Sequence, residues 1–226
     1  MIKITNNGPY LVSGNIPITI ETIGTNANGE SLEWVHGRAI EAPEFYALCR
    51  CGGSSSKPFC DGTHKKIGFD GTETASREPY AQQAVVTQGP TMVLEDAQAL
   101  CAYARFCDVA GTIWRLIKKT DDAEVRRIVG HEGTHCPSGR LVVRDNQTGQ
   151  ALEPAFSPSI GLVEDPAQHC SGPIWVRGGI QIESADGTPY EIRNRVTLCR
   201  CGASHNKPFC DGQHADIAFN DGLTKP

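Results

Sequence analysis

Six of the ten cysteines in this 226-residue chain fall, with the matching His64 and His214, into two copies of one stretch. The first copy reads Cys49-Arg50-Cys51-Gly52-Gly53-Ser54-Ser55-Ser56-Lys57-Pro58-Phe59-Cys60-Asp61-Gly62-Thr63-His64, and the second runs from Cys199 to His214, differing only at 53/203, 55/205, 56/206 and 63/213. Each copy offers three thiols and one imidazole, which is a metal-ligand set. Cys49 and Cys51 stand one residue apart, so a turn or strand end must bring both sulfurs to one metal. Cys60 and His64 are spaced i, i+4 and share a face if that stretch is helical. Pro58 keeps Lys57 out of the helical region, so the helix starts after it and Cys60 and His64 straddle its N-terminus. Exposed N–H groups and the dipole there favour an anion, and a thiolate-ligated cluster is one. Three Cys and one His suit structural zinc, although Cys-X-Cys is tighter than the usual zinc spacing. Thiolate softness equally allows an iron–sulfur cluster. On donor chemistry alone both metals stay open.

Both copies resemble the CDGSH iron–sulfur domain, the mitoNEET-like family, whose pattern is Cys-X-Cys, eight residues, then Cys-Asp-Gly-(Ser/Ala/Thr)-His. Cys49, Cys51, Cys60 and His64 match it, as do Cys199, Cys201, Cys210 and His214; Gln213 departs from the small residue of the variable slot, which touches only hydrogen bonding around the ligands. The resemblance implies one [2Fe–2S] cluster per motif, with Cys49 and Cys51 on one iron and Cys60 and His64 on the other. It also implies redox activity and loss of the cluster at mildly acid pH, where an imidazole ligand takes a proton. Single-motif members form homodimers, so a tandem chain implies a monomer with an internal pseudo-two-fold.

The rest of the chain must position these loops. Upstream of the ligands, Gly8-Pro9-Tyr10-Leu11-Val12-Ser13-Gly14-Asn15-Ile16-Pro17-Ile18 echoes Gly172 to Ile182. Ile16, Ile18 and Ile20 alternate, as do Ile180 and Ile182, which predicts half-buried strands. Phe45–Leu48 and Val196–Leu198 read as strands leading into the first ligands. Asn26–Gly29 and Ala185–Thr188 are turn signals. The first copy carries 14 more residues than the second between Gly-Pro and its first ligand. The expected fold is α+β, with two small β-rich modules at 1–78 and 169–226 forming an internal pseudo-dimer. Between them, 79–168 is expected to be a mainly helical insert and linker. Its helices are expected at Glu95–Phe106, with Leu100, Tyr103 and Ala104 toward a core, at Thr112–Lys118 and at Asp121–Val129, the last capped by Thr120. Leu141–Val143 reads as a short strand, and Glu153–Pro166, with Pro154, Pro158 and Pro166, as a surface linker.

The insert has its own thiols. Cys101, Cys107 and Cys136, the last followed by Pro137, resemble a divergent ferredoxin-type pattern in which Ala104 replaces the central ligand. Three thiolates would suit a [3Fe–4S] cluster; the plain alternative is small buried hydrophobes. Cys170 reads as structural. His131-Glu132-Gly133-Thr134-His135 matches the His-Glu-x-x-His zinc-protease pattern, but Gly130 and Gly133 weaken the helix that motif needs. His205 reads as a solvated loop residue, and His36 has no partner in sequence.

Composition is that of an ordinary soluble domain, 39% hydrophobic and 21% charged. A net charge of −5 and the lack of basic runs argue against nucleic acid and membrane-surface partners. No apolar stretch approaches a membrane span, and Met1–Gly8 lacks a signal-peptide core. Cysteines gathered in metal motifs suit a reducing cytoplasm. No residue set resembles a substrate pocket with acid, base and nucleophile, so an enzyme is not expected. Two functions follow: electron transfer between partner enzymes, or storage and donation of clusters to apo-acceptors. A structural zinc protein is the third reading.

Overall fold

The computed structural model describes residues 1–224. In chain order the strands are β1 Ile2–Ile4, β2 Tyr10–Ser13, β3 Ile18–Thr25, β4 Ser31–Ile40, β5 Phe45–Leu48, β6 Val85–Gln88, β7 Met92–Asp96, β8 Leu141–Asp145, β9 Ser159–Asp165, β10 Cys170–Arg177, β11 Ile182–Glu183 and β12 Arg195–Leu198. The helices are α1 Thr63–Lys66, α2 Tyr80–Gln83, α3 Ile113–Leu116, α4 Ala123–His135 and α5 Gln213–Asp216.

Two sheets carry the ligand loops, ordered β11-β1-β2-β5 and β12-β10-β9-β3-β4. Each is built from both halves of the chain. β3 of the first half runs parallel to β9 in the second half's sheet, Ile18 opposite Ile160 and Ile20 opposite Leu162. β11 of the second half runs parallel to β1, Ile2 opposite Ile182. The alternation of Ile16, Ile18 and Ile20 and of Ile180 and Ile182 is thus spent on strands exchanged between halves. Their apolar faces meet in one core with Tyr10, Val12, Leu48, Ile174, Val176 and Leu198. The 14 extra residues of the first copy are accommodated by β4, an edge strand turned back on β3 at Asn26–Gly29.

The middle segment corrects several expectations. It is not mainly helical. A three-stranded antiparallel sheet, β6-β7-β8, forms one layer and α3 with α4 the other. Glu95 and Asp96 end strand β7, where Met92 and Leu94 alternate inward, so no helix spans Glu95–Phe106. Residues 101–105 are irregular, with Tyr103 and Arg105 in the left-handed region at φ 56° and 62°. Leu100 and Ala104 are buried, but Tyr103 is exposed. The second expected helix is α3 with a 3-10 turn at Ile117–Lys119. The third, α4, runs on to His135 and is capped by Asp122, whose carboxylate accepts from the amides of Glu124 and Val125. Thr120 instead has its hydroxyl on Ile117 O. Gly133 does not weaken α4: a Cβ there would stand 2.5 Å from Val143 Cγ2, so the glycine lets α4 lie close on β8.

Glu153–Pro166 is not a linker. Ser159–Asp165 forms β9, and Ile160 to Val163 are buried between β3 and β10. Its prolines flank the strand, which is where proline is tolerated. No helix among the described residues is long and apolar enough to cross a membrane.

The insert is joined to both halves by a second apolar cluster. Phe106 and Ala104 pack with Ile23, Val163 and Trp175. Trp34 stacks at 4.9 Å from Phe106 and 4.5 Å from Trp175.

Candidate metal centres

Each ligand loop leaves the end of a strand, β5 or β12, and closes on a one-turn helix. The Cys49 amide donates to Pro58 O and the Cys60 amide to Ala47 O, and the second loop repeats both bonds at Cys199 and Cys210. Ser54 and Ser204 hold the loop from inside by donating to Phe59 O and Phe209 O. Asp61 accepts from the Ser55 and Thr63 amides, which holds its carboxyl well below the usual range; Asp211 accepts from the His205 and Gln213 amides. Lys57–Pro58 and Lys207–Pro208 are both cis, which the helix-start reading of Pro58 did not anticipate. α1 and α5 begin after Gly62 and Gly212, so Cys60 and His64 straddle the start of the turn, as do Cys210 and His214.

The donors fall in pairs. Cys49 Sγ lies 3.8 Å from Cys51 Sγ, and Cys199 Sγ 3.7 Å from Cys201 Sγ. Cys60 Sγ lies 3.3 Å from His64 Nδ1, and Cys210 Sγ 3.3 Å from His214 Nδ1. A tetrahedral metal with thiolate bonds of about 2.3 Å sets its two sulfurs ~3.8 Å apart. Each copy therefore presents two two-donor edges. Among the described residues no three or more such side chains converge as one mononuclear site would require. This donor set fits a two-iron group held two ligands per iron. Burial pushes Cys51 up to about 11 and Cys210 well above the ordinary thiol value, so a bound cation is what would hold both as thiolates.

The two loops touch. Cys51 and Cys201 form an antiparallel bridge. A Cβ on Gly52 would stand 2.4 Å from Cys201 O, and one on Gly202 2.5 Å from Cys51 O, at φ of 74° and 84°. Glycine alone fits this reciprocal approach.

Sequence reasoning missed the arginine inside each Cys-Arg-Cys. Arg50 and Arg200 are both buried. Arg200 donates to Gly172 O and Val163 O and pairs with Glu164 at 2.9 Å and with Asp221. Among the described residues Arg50 donates to the carbonyls of Gly71 and Thr5 and lies over the Tyr10 and Phe69 rings, and its Nε has no hydrogen-bond partner. The signal was available: a cation between two prospective thiolates in both copies.

In the insert, Cys101, Cys107 and Cys136 line one narrow cavity of about 30 Å³. It shares Cys101 and Cys107 with an open cleft of about 410 Å³ that also takes in Asp108 and Trp114. Burial, then the Cys136 and Cys101 charges, push the Cys107 thiol up to about 12. Arg140 stands beside Cys101 and is paired with Asp96 at 2.6 Å. The three thiols thus border one cavity, with a cation at its edge.

Other expected residues have structural duties. His131 Nε2 meets Leu32 O at 2.9 Å, and His135 Nδ1 meets His131 O at 2.8 Å, the two rings stacking at 3.8 Å. Glu132 turns inward to the Val109 and Ala110 amides, and burial raises it to about 7. The His-Glu-x-x-His residues thus sit on a helix after all, with one ring nitrogen of each histidine bonded to backbone. His36 pairs with buried Glu21 at 2.6 Å, the partner the sequence did not reveal. His205 is exposed near Asp211, and Cys170 is buried at the start of β10.

A family model described as iron-binding zinc finger CDGSH type matches residues 7–65 and 171–215, and one described as divergent 4Fe-4S mono-cluster matches 87–146. No curated protein and no solved structure matches the chain.

Proposed function

We propose that this chain, an iron–sulfur protein in which two CDGSH regions flank a divergent 4Fe–4S segment, is an electron carrier. The observation that carries the reading is the pairing of donors into two edges per loop, at 3.8 and 3.3 Å in the first and 3.7 and 3.3 Å in the second. On it, Cys49, Cys51, Cys60 and His64 hold one [2Fe–2S] cluster, and Cys199, Cys201, Cys210 and His214 another. Replacing one thiolate by imidazole leaves the site one negative charge poorer, which raises its reduction potential. Cys101, Cys107 and Cys136 hold a third, three-thiolate cluster, which we take as [3Fe–4S]. The halves form an internal pseudo-dimer, and the chain works as a monomer in a reducing compartment such as the cytoplasm. It passes single electrons between redox partner proteins and turns over no substrate of its own.

Metal and sulfide analysis of the purified chain, with an electron paramagnetic resonance spectrum, tests this. About seven irons per chain are expected, and about eight if the middle cluster has four irons. Stoichiometric zinc without sulfide overturns the reading. A second reading, cluster donation to apo-acceptors, is favoured by one observation: Cys60 and His64 are only half-buried. Transfer of iron and sulfide to an apo-ferredoxin faster than reoxidation would select it.

A further inference from the structure

The middle thiols are anchored corner by corner, mostly on the second half of the chain; the Cys136 corner is also held by Trp34 of β4, whose Nε1 donates to His135 O at 3.1 Å. Asn206 Nδ2, inside the second ligand loop, donates to Ala99 O at 2.7 Å, two residues before Cys101. Arg105, two residues before Cys107, is bound through both guanidinium nitrogens to buried Asp165 at the end of β9. Arg195 on β12, itself 1% exposed, donates to Cys136 O at 2.7 Å and to Gly133 O at 2.9 Å. Tyr103 lies over Gly212, between Cys210 and His214, so that a Cβ there would meet Tyr103 Cβ at 3.1 Å and Cys101 O at 3.9 Å. Among the described residues no hydrogen bond joins the first ligand loop, Cys49–His64, to the middle segment. Left-handed Tyr103 and Arg105 cost backbone strain, which persists only where surroundings hold it; Gly212 and Asp165 are those surroundings.

We propose that the Ala99–Arg105 loop makes the middle donor set and the second motif one electron-exchanging unit, with the first motif reached only through the Cys51–Cys201 contact. The order of sites is middle, second, first. One electron is exchanged at a time: one site is oxidised as its neighbour is reduced, with no bond broken and no proton moved. Arg105, Arg195 and Asn206 are positioning residues in this unit. The inference rests on the reading that all three donor sets hold iron–sulfur clusters.

The test is microwave power saturation of the paramagnetic resonance signals of the full chain during a dithionite titration. Two [2Fe–2S] signals with different half-saturation powers are expected, the faster-relaxing one belonging to the second motif. Assignment comes from a Cys49→Ser/Cys60→Ser chain, which should retain only the fast-relaxing signal. In a Cys101→Ser/Cys107→Ser/Cys136→Ser chain the second-motif signal should fall to the half-saturation power of the first. Equal relaxation of both signals in the unaltered chain, or loss of enhancement at the first motif instead, overturns the inference and leaves the function standing. An iron count of about four, with sulfide to match, removes the middle cluster and overturns both the three-cluster reading and this inference.

Discussion

Cys60 and His64 look partly toward solvent, whereas Cys210 and His214, 2% and 3% exposed, lie beneath the loop that carries Ala99 and Tyr103. The loops that bear them share twelve of sixteen residues and the same internal bonds, so the contrast comes from what covers them and what neutralises the cation behind them. Behind the first pair stands Arg50 with carbonyls for partners; behind the second stands Arg200 with two carboxylates. An uncompensated cation stabilises added negative charge, and a drier site disfavours it. Both effects make the first site the easier to reduce. On the proposed function, two copies of one donor set thereby become two different redox sites without a change of donor.

The cover can be removed from a distance. Phe106 is buried between Trp34, Val163 and Trp175 and fastens the Cys101–Cys107 loop over the second motif. Phe106→Ala should cost about 3–5 kcal/mol in chemical unfolding. Chelator-driven iron loss from the second motif should accelerate toward that of the first. Persistence of the difference between the two sites would mean the insert is not what protects the second.

The compensation of Arg200 can be removed next. Asp221→Asn strips one of two carboxylates from a buried cation, at a cost of about 3 kcal/mol, the lower end for breaking a buried pair. The second site's potential should rise toward the first's in a redox titration. Thr5 and Gly71 offer Arg50 no carboxylate to lose, so Arg50→Met should instead lower the first potential.

How much of this was legible beforehand follows from the kind of signal involved. The pairing of Cys49 with Cys51 and of Cys60 with His64, and of their counterparts in the second copy, was, because a repeated stretch names its own shared positions and local spacing brings them together. The strands at Ile18–Thr25 and Ile182–Glu183 were, through the alternation of Ile18, Ile20 and Ile182, but their exchange between halves was not, because alternation does not name a pairing partner. The insert was not: Met92–Asp96 is too short a run to separate strand from helix by period, and Tyr103 and Arg105 adopt a conformation that only tertiary contacts enforce. Ser159–Asp165 was hidden by its flanking prolines. The covering of one motif and not the other is a contact between segments a hundred residues apart, and nothing local announces it.

Acid should also separate the two sites. Burial, then the Arg200 charge, push the His214 imidazole down to about 4. A folded-state value below the unfolded one means the unfolded chain binds the extra proton. This group's share of stability is therefore lost as pH falls from about 6.5 toward 4. A proton competing with iron for Nδ1 must also be driven harder at the buried site. Stepwise acidification should bleach the first cluster at a higher pH than the second. His64→Cys should abolish the earlier step and lower that site's potential, and His214→Cys the later. A single bleaching step in the unaltered chain would count against different environments.

The smallest effect concerns the positions where the copies differ. Ser56 is exposed, while its counterpart Asn206 spends its amide on Ala99 O. Asn206→Ser makes the second loop like the first there and removes one neutral hydrogen bond, worth about 1 kcal/mol. The Lys207 bond to Ser204 O and the Ser204 bond to Phe209 O are untouched, so the ligand geometry and iron content should hold. What should change is the fit of the cover: hydrogen exchange at the Cys101 amide, which closes a turn on Gln98 O, should quicken several-fold. The reciprocal Ser56→Asn, with no insert above it, should do nothing to either site. If both substitutions are equally silent, the divergence of the two loops is unrelated to the insert, and the asymmetry rests on Phe106 and Arg200 alone.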